Sequence, residues 1–198
     1  METNPLSWSP VVTKQQLVQC GADPKHVGTY IDPLNRYLPM AGYAITTPLR
    51  LIHLLAQLLH EADKFKTAEE YASGADYEGR VDLGNIHPGD GVRFKGRGLI
   101  QCTGRTNYAA YSKKTGIDYL AHPEWLERPD DAVLVSLWYW KTRNLNVYAD
   151  RDDVLSISQA INQGSVAKPG SKRRLPNGYA ARRIYLGKCQ AVFMPDAA

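Results

Sequence analysis

Two glutamates nine positions apart, Glu61 and Glu70, are the residues of this chain best suited to chemistry. A pair of carboxyl groups can cleave a glycosidic bond when one protonates the leaving oxygen and the other acts on the opposite face. In one unbroken helix, nine residues would carry Glu70 about 13 Å along the axis and roughly to the far side. The chain must therefore turn back after Glu61. The stretch Lys64-Phe65-Lys66-Thr67 is the expected break, with Thr67 capping a short new turn and Glu70 at its third position. That arrangement would also make Glu70 half of a capping box, and Glu69 stands beside it as a second candidate carboxylate.

The two environments differ in the direction acid–base work needs. Thr47 suits a helix N-cap and Pro48 the first helical position. Leu49, Leu51, Ile52, Leu54, Leu55, Ala56, Leu58 and Leu59 follow, so the helix is apolar on most sides and is expected to be buried. Arg50, His53, Gln57, Glu61 and Lys64 fall on one narrow stripe, which must face water, an ion partner or a substrate. A glutamate at the end of such a helix is desolvated and keeps its proton near neutrality. Glu70, in the polar segment past the break, is expected to stay ionised.

Other chemistries fit less well. Gly89-Asp90-Gly91-Val92-Arg93-Phe94-Lys95-Gly96-Arg97-Gly98 lacks both GxxxxGK[ST] and a GxGxxG that opens a helix after a strand. His60-Glu61 begins like HExxH, but Lys64 occupies the second histidine position, so no metal site is expected. No GxSxG is present, and Cys102 among apolar neighbours reads as packing. His53 and His60 read as structural hydrogen-bonders. Arg93, Lys95, Arg97 and Arg105 form a basic set that admits nucleic-acid contact. The glycines beside Gln101, Thr103 and Asn107 suit a flat hydroxylated polymer better, since small residues allow close approach while amides and hydroxyls hydrogen-bond it.

The elements that must position these groups are mostly helical. At 198 residues, 43% hydrophobic and 22% charged, the chain is expected to form one domain, residues 1–198, with a 1–44 N-terminal helical segment and a 45–193 catalytic core. Residues 1–10 read as an irregular arm. Helices are expected from Thr13 to Cys20, from Asp23 to about Leu38, and over 104–115, 130–143, 152–162 and 177–193. Eight glycines between Gly74 and Gly104 interrupt them; there Val92-Arg93-Phe94 and Leu99-Ile100 suggest a small hairpin lobe. Lys168 to Arg174 reads as a solvated cationic loop. Three scattered cysteines (Cys20, Cys102, Cys189) without a CxxC pair fit reduced, buried thiols. No apolar run is long enough to cross a membrane, and Met1 to Pro5 lack the features of a signal peptide. The net charge of +4 permits a polyanionic partner without requiring one.

Several motifs occur together: Leu55-Ala56-Gln57-Leu58-Leu59-His60-Glu61, the spacing to Glu70, Tyr77-Glu78-Gly79-Arg80, Leu83-Gly84-Asn85, Pro88-Gly89-Asp90-Gly91, Phe94 through Arg105, and Ile161-Asn162-Gln163-Gly164. Over roughly residues 45–190 the chain resembles glycoside hydrolase family 19, the plant-type chitinase fold, and most closely its bacteriophage endolysin branch. The resemblance implies a mainly α, lysozyme-like two-lobed α+β domain with a small glycine-rich hairpin lobe and a deep substrate cleft. It implies Glu61 as general acid, Glu70 as the base activating water in an inverting displacement, and Thr103 as the hydroxyl that helps hold that water. Gln101, Asn107 and Asn162 match sugar-binding positions, and one of Arg182 and Arg183 matches a cleft arginine. No cofactor is implied.

The disulfide cysteines of the plant enzymes are missing, and Cys102 replaces an apolar residue. The segment between Glu70 and Gly96 is shorter than the plant loop. The implied partner is the glycan strand of peptidoglycan or, alternatively, chitin oligomers; an inactive sugar-binding module is the alternative of another class. A monomer without nucleic-acid partners or membrane insertion is expected. It would be made in the host bacterial cytoplasm and reach the periplasm and cell wall through a separate pore protein.

Overall fold

A computed structural model describes residues 8–168 and 174–197. The arm before residue 8 and residues 169–173 of the cationic loop lie outside the described residues. The helices are α1 (Lys14–Cys20), α2 (Ile31–Tyr37), α3 (Pro48–Glu61), α4 (Asp90–Arg93), α5 (Arg105–Thr115), α6 (Pro129–Thr142), α7 (Asn146–Ala149), α8 (Val154–Asn162) and α9 (Tyr179–Phe193). The chain is mainly helical, with the glycine-rich segment packed against α5 and α6.

Helix starts follow local chemistry. Thr13 and Gln16 form a capping box on α1, and Gly21 closes it in the left-handed region at φ 110°. The Thr47 hydroxyl accepts from the Arg50 backbone N–H, and Pro48 opens α3. The expected helix from Asp23 to Leu38 is shorter than that. The Asp23 carboxylate accepts from the backbone N–H groups of Lys25 and His26, a turn that competes with helix, and a 3-10 turn over Val27–Tyr30 precedes α2.

α3 is the centre of the core. Every residue from Leu51 to Leu59 is buried, and α9 is the main helix laid along it, with α1 packed on α9 in turn. The polar stripe meets ion partners. Arg50 forks onto Asp150 at 2.7 and 2.6 Å, His53 Nε2 lies 2.8 Å from Asp152, and Gln57 and Glu61 both meet Arg182. Lys64 leaves the stripe, because the helix ends at Glu61, three residues before the expected break.

Asp63, Lys64 and Phe65 follow with φ of 42°, 64° and 67°, a left-handed run without glycine. Tertiary anchors hold it. Lys64 N–H donates to the Leu59 carbonyl, the Lys64 carbonyl accepts from Asp23 N–H, and Phe65 is buried against Tyr30. Thr67 does not cap a new turn toward Glu70. Its hydroxyl accepts from Glu69 N–H and donates to the Glu69 carbonyl, which frees Glu70 from any capping box.

The hairpin is a second correction. Val92 and Arg93 lie in α4, and β pairing among the described residues is confined to isolated bridges, Glu69 with Arg97 and Arg97 with Cys102. Glycines in the left-handed region at 74, 79, 84, 89, 98 and 104 turn the chain too often for a ladder to extend. Polar clasps hold the lobe instead. The Glu78 carboxylate accepts from the N–H groups of Gly89 and Gly91, buried Asn85 joins the Tyr77 carbonyl to Arg105 N–H, and Asp90 accepts from Arg105 Nε and Nη2 at 2.8 and 2.6 Å.

Candidate active site

The end of α3, the Thr67–Tyr77 segment and the Gln101–Thr103 turn enclose a cavity of about 250 Å³ lined by Glu61, Glu69, Glu70, Tyr77, Gln101 and Thr103, with Thr67 and Tyr71. A neighbouring hollow of about 260 Å³ shares Tyr77, Gln101 and Thr103, and adds Asn107, Tyr139, Arg143 and Asn162. The two form one cleft. The structure thus brings Glu61, Glu70, Gln101 and Thr103 around the first hollow, and Asn107 and Asn162 around the second.

The Glu61 side chain is 15% exposed, against 40% for Glu69. Burial pushes its pKa above the ordinary glutamate value. The Arg182 guanidinium, 2.5 Å from Oε1, pulls the other way, and the charge of Glu70 adds a further upward push. Arg182 is itself buried. It also donates to Gln57 Oε1 and to the Asn177 carbonyl, so of the two arginines it is the one that reaches Glu61. Arg183, one position on, lines a separate surface hollow.

Geometry separates Glu69 from Glu70. Glu69 Oε1 is held between Lys95 at 2.9 Å and Arg97 at 3.3 Å. The Glu70 side chain instead accepts from neutral donors, the Tyr77 hydroxyl at 2.8 Å and Gly96 N–H at 3.0 Å. Its carboxylate is oriented without being neutralised. The Gln101–Thr103 turn is held as firmly. Gln101 sits in the left-handed region at φ 60°, the Thr103 hydroxyl donates to the Gln101 carbonyl, and Asn107 Nδ2 donates to the Thr103 carbonyl. A methyl group placed on Gly96 would lie 2.6 Å from Gln101 Oε1, 3.2 Å from Glu70 Oε2 and 3.3 Å from Thr103 Oγ1. Three oxygens therefore converge on a space that only glycine leaves open.

Asn162 has a structural partner as well: its Oδ1 accepts from Asn177 N–H, beside the carbonyl that takes Arg182 Nε. The basic set read from the sequence is engaged internally. Arg93 binds the carbonyls of Leu120 and Ala121, Lys95 and Arg97 bind Glu69, and Arg105 binds Asp90. Cys102 is fully buried, and burial pushes its thiol pKa up to about 12, which leaves it protonated and inert. Cys20 and Cys189 are likewise free and buried. Sequence reasoning assigned no role to Tyr77, Gly96 or Arg143. Tyr77 lies in a recognised motif, whereas the placement of Arg143 is set by packing alone.

No family model matches the chain. A glycosyl hydrolase family 19 domain-containing protein of Haemophilus influenzae is 36% identical over 104 residues, 52% of this chain and 50% of that protein. An endochitinase of Arabidopsis thaliana is 37% identical over 96 residues, 48% of this chain and 31% of the plant protein. The chain thus spans half the length or less of these curated relatives. Among solved structures, chitinase C of Streptomyces griseus superposes with a TM-score of 0.67 at 19% identity, over 92% of this chain and 76% of that one. A bacterial family 19 chitinase does so at 0.66 and 20%, over 92% and 95%. The chain is thus similar in sequence, over about half its length, to a glycosyl hydrolase family 19 domain-containing protein and to a plant endochitinase, and it shares its fold with the bacterial chitinases.

Proposed function

We propose that the chain is an endolysin glycosidase that hydrolyses β-1,4 glycosidic bonds of bacterial peptidoglycan with inversion. The observation that carries this reading is the opening of a desolvated Glu61 and an oriented Glu70 onto one cavity. Glu61 Oε1 is occupied by Arg182, so the acidic proton resides on Oε2 and passes to the leaving oxygen. The guanidinium then stabilises the carboxylate left behind. Glu70 takes a proton from water, which the Thr103 hydroxyl helps to hold through its free lone pair. Gln101, the Oδ1 of Asn107 and the Nδ2 of Asn162 are the groups offered to sugar hydroxyls and acetamides. A single domain acting as a monomer on the cell wall, reached from the bacterial cytoplasm through a separate pore protein, completes the proposal.

Hydrolysis of N-acetylglucosamine polymer is the second reading, favoured by the chitinase relatives. Mass spectrometry of products from purified peptidoglycan and from chitin tests both. New reducing ends on muramic acid or glucosamine identify the bond, and proton NMR of the first-formed anomer tests inversion. Anhydro-sugar products, or the retained anomer, overturn the mechanism; products from chitin alone select the second reading.

A further inference from the structure

Arg143, the residue that caps α6, is the cleft arginine without a carboxylate. Arg80 lies 2.5 Å from Asp82, Arg97 meets Glu69 and Glu127, and Arg182 meets Glu61. Arg143 has no such ion pair among the described residues, and its Nε is buried without a hydrogen-bond partner. Its guanidinium carbon rests 4.0 Å from the ring centroid of Tyr139, itself part of the cleft lining. A positive charge is therefore fixed at the cleft wall with no carboxylate to neutralise it, and the part of the guanidinium that lines the hollows is open to a ligand carboxylate.

The position is a fork. Arg143 and Gly164 line the second hollow and also a side groove of about 350 Å³ that runs past Tyr148, Ser165 and Val166. A linear neutral polymer such as chitin has only short acetamido and hydroxymethyl groups to place in a side groove and no charge to offer a guanidinium. A glycan strand that bears a lactyl ether and a peptide on alternate sugars has both, because those branches carry carboxylates. We propose that Arg143 is a specificity-determining residue that pairs with a carboxylate on the lactyl-peptide branch of the glycan, with the branch lying in the groove past Tyr148. The assignment rests on the glycosidase reading above and narrows its substrate to a carboxylate-bearing amino-sugar polymer. A site that presents a fixed guanidinium separates charged from neutral ligands more strongly than it separates small differences in shape.

The test compares wild type, Arg143→Gln and Arg143→Lys on soluble peptide-bearing glycan strands and on neutral chitin oligomers. The expected result is that Arg143→Gln lowers the ratio of kcat/KM on charged to neutral substrate about tenfold or more, mainly through KM. Arg143→Lys retains most of that ratio, and added salt weakens wild-type binding of the charged strands more than that of the variant. An unchanged ratio, or an equal loss on both polymers, overturns the assignment while leaving the glycosidase reading intact. Wild-type protein that cleaves neither polymer overturns the glycosidase reading and the assignment with it. Should Arg143→Gln fail to fold, the Arg143→Lys ratio and the wild-type salt dependence decide, and a salt-insensitive KM on charged strands overturns the assignment.

Discussion

Arg182 Nη2 reaches Glu61 Oε1 at 2.5 Å across 121 positions of sequence, joining the C-terminal helix to the end of the central one. The same guanidinium that stabilises an ionised Glu61 is outweighed by burial, so the acid stays protonated above the ordinary glutamate range. Arg182→Gln removes the opposing pull. The alkaline limb of the kcat/KM profile is expected to move to higher pH while kcat falls, because the donated proton leaves an unpaired carboxylate. Breaking a buried pair also costs about 3–5 kcal/mol, which thermal melts will report as a lower Tm.

Glu61→Gln removes the transferable proton and keeps the shape. Turnover on the preferred polymer is expected to fall by roughly 10²–10⁴. The variant also alters stability in a signed way. A carboxyl whose folded pKa lies above its unfolded one holds its proton more tightly when folded. Its stabilising contribution is full below the ordinary value of 4.5 and is lost as pH rises through the raised folded value. The Tm of the variant relative to wild type is therefore expected to improve as pH rises through that window. Parallel Tm–pH curves would show that Glu61 is not shifted.

Gly96→Ala tests the convergence of Glu70, Gln101 and Thr103. The new methyl would stand 2.6 Å from Gln101 Oε1, the far end of a flexible side chain, so the fold can accommodate it by moving Gln101. Stability is expected to change little, while kcat/KM falls at least tenfold because Gln101 leaves its place beside Glu70. A Tm within a few degrees of wild type, measured with the kinetics, separates this from misfolding.

Tyr77→Phe removes one of the two side-chain hydrogen bonds that orient Glu70. A charge-assisted bond of this kind is worth roughly 1.5–3 kcal/mol. Loss of it is expected to lower kcat by at least tenfold with little change in KM, since the tyrosine acts through the carboxylate. A change confined to KM would assign Tyr77 to substrate contact instead.

What the sequence made legible was local. Thr47 and Pro48 announce the start of α3 because caps depend on nearest neighbours, and the polar stripe follows from helical periodicity. That the chain turns back after Glu61 was legible from the spacing of the two carboxylates, but the left-handed run Asp63–Phe65 that turns it was not, since Asp23 and Tyr30, distant in sequence, hold it. The hairpin expectation took the apolar residues near Val92 and Leu99 as strand, whereas the glycines between them and the Glu78 and Asp90 clasps set the local course. Choosing between Arg182 and Arg183 required knowing which face of α9 packs on α3. For Arg143 no local pattern existed, because its charge matters only through the partners it lacks.

The Asp90–Arg105 clasp gives a pH prediction for the glycine-rich lobe. Asp90 is buried; it accepts from Arg105 Nε and Nη2 and from His87 N–H, and these contacts hold its pKa down at about 2. A carboxyl with a depressed folded pKa stabilises the protein above its ordinary value of 3.8, and that contribution is lost as pH falls toward about 2. Asp90→Asn is expected to lower Tm at neutral pH and to flatten the loss of Tm between about pH 4 and 2. Because the lobe carries Tyr77 and Asn85, which lean on the Glu70 side of the cleft and on Arg105 N–H, activity should fall along with lobe stability. An acid melting profile that the substitution leaves unchanged would show that this lobe is held by something other than its ion pair.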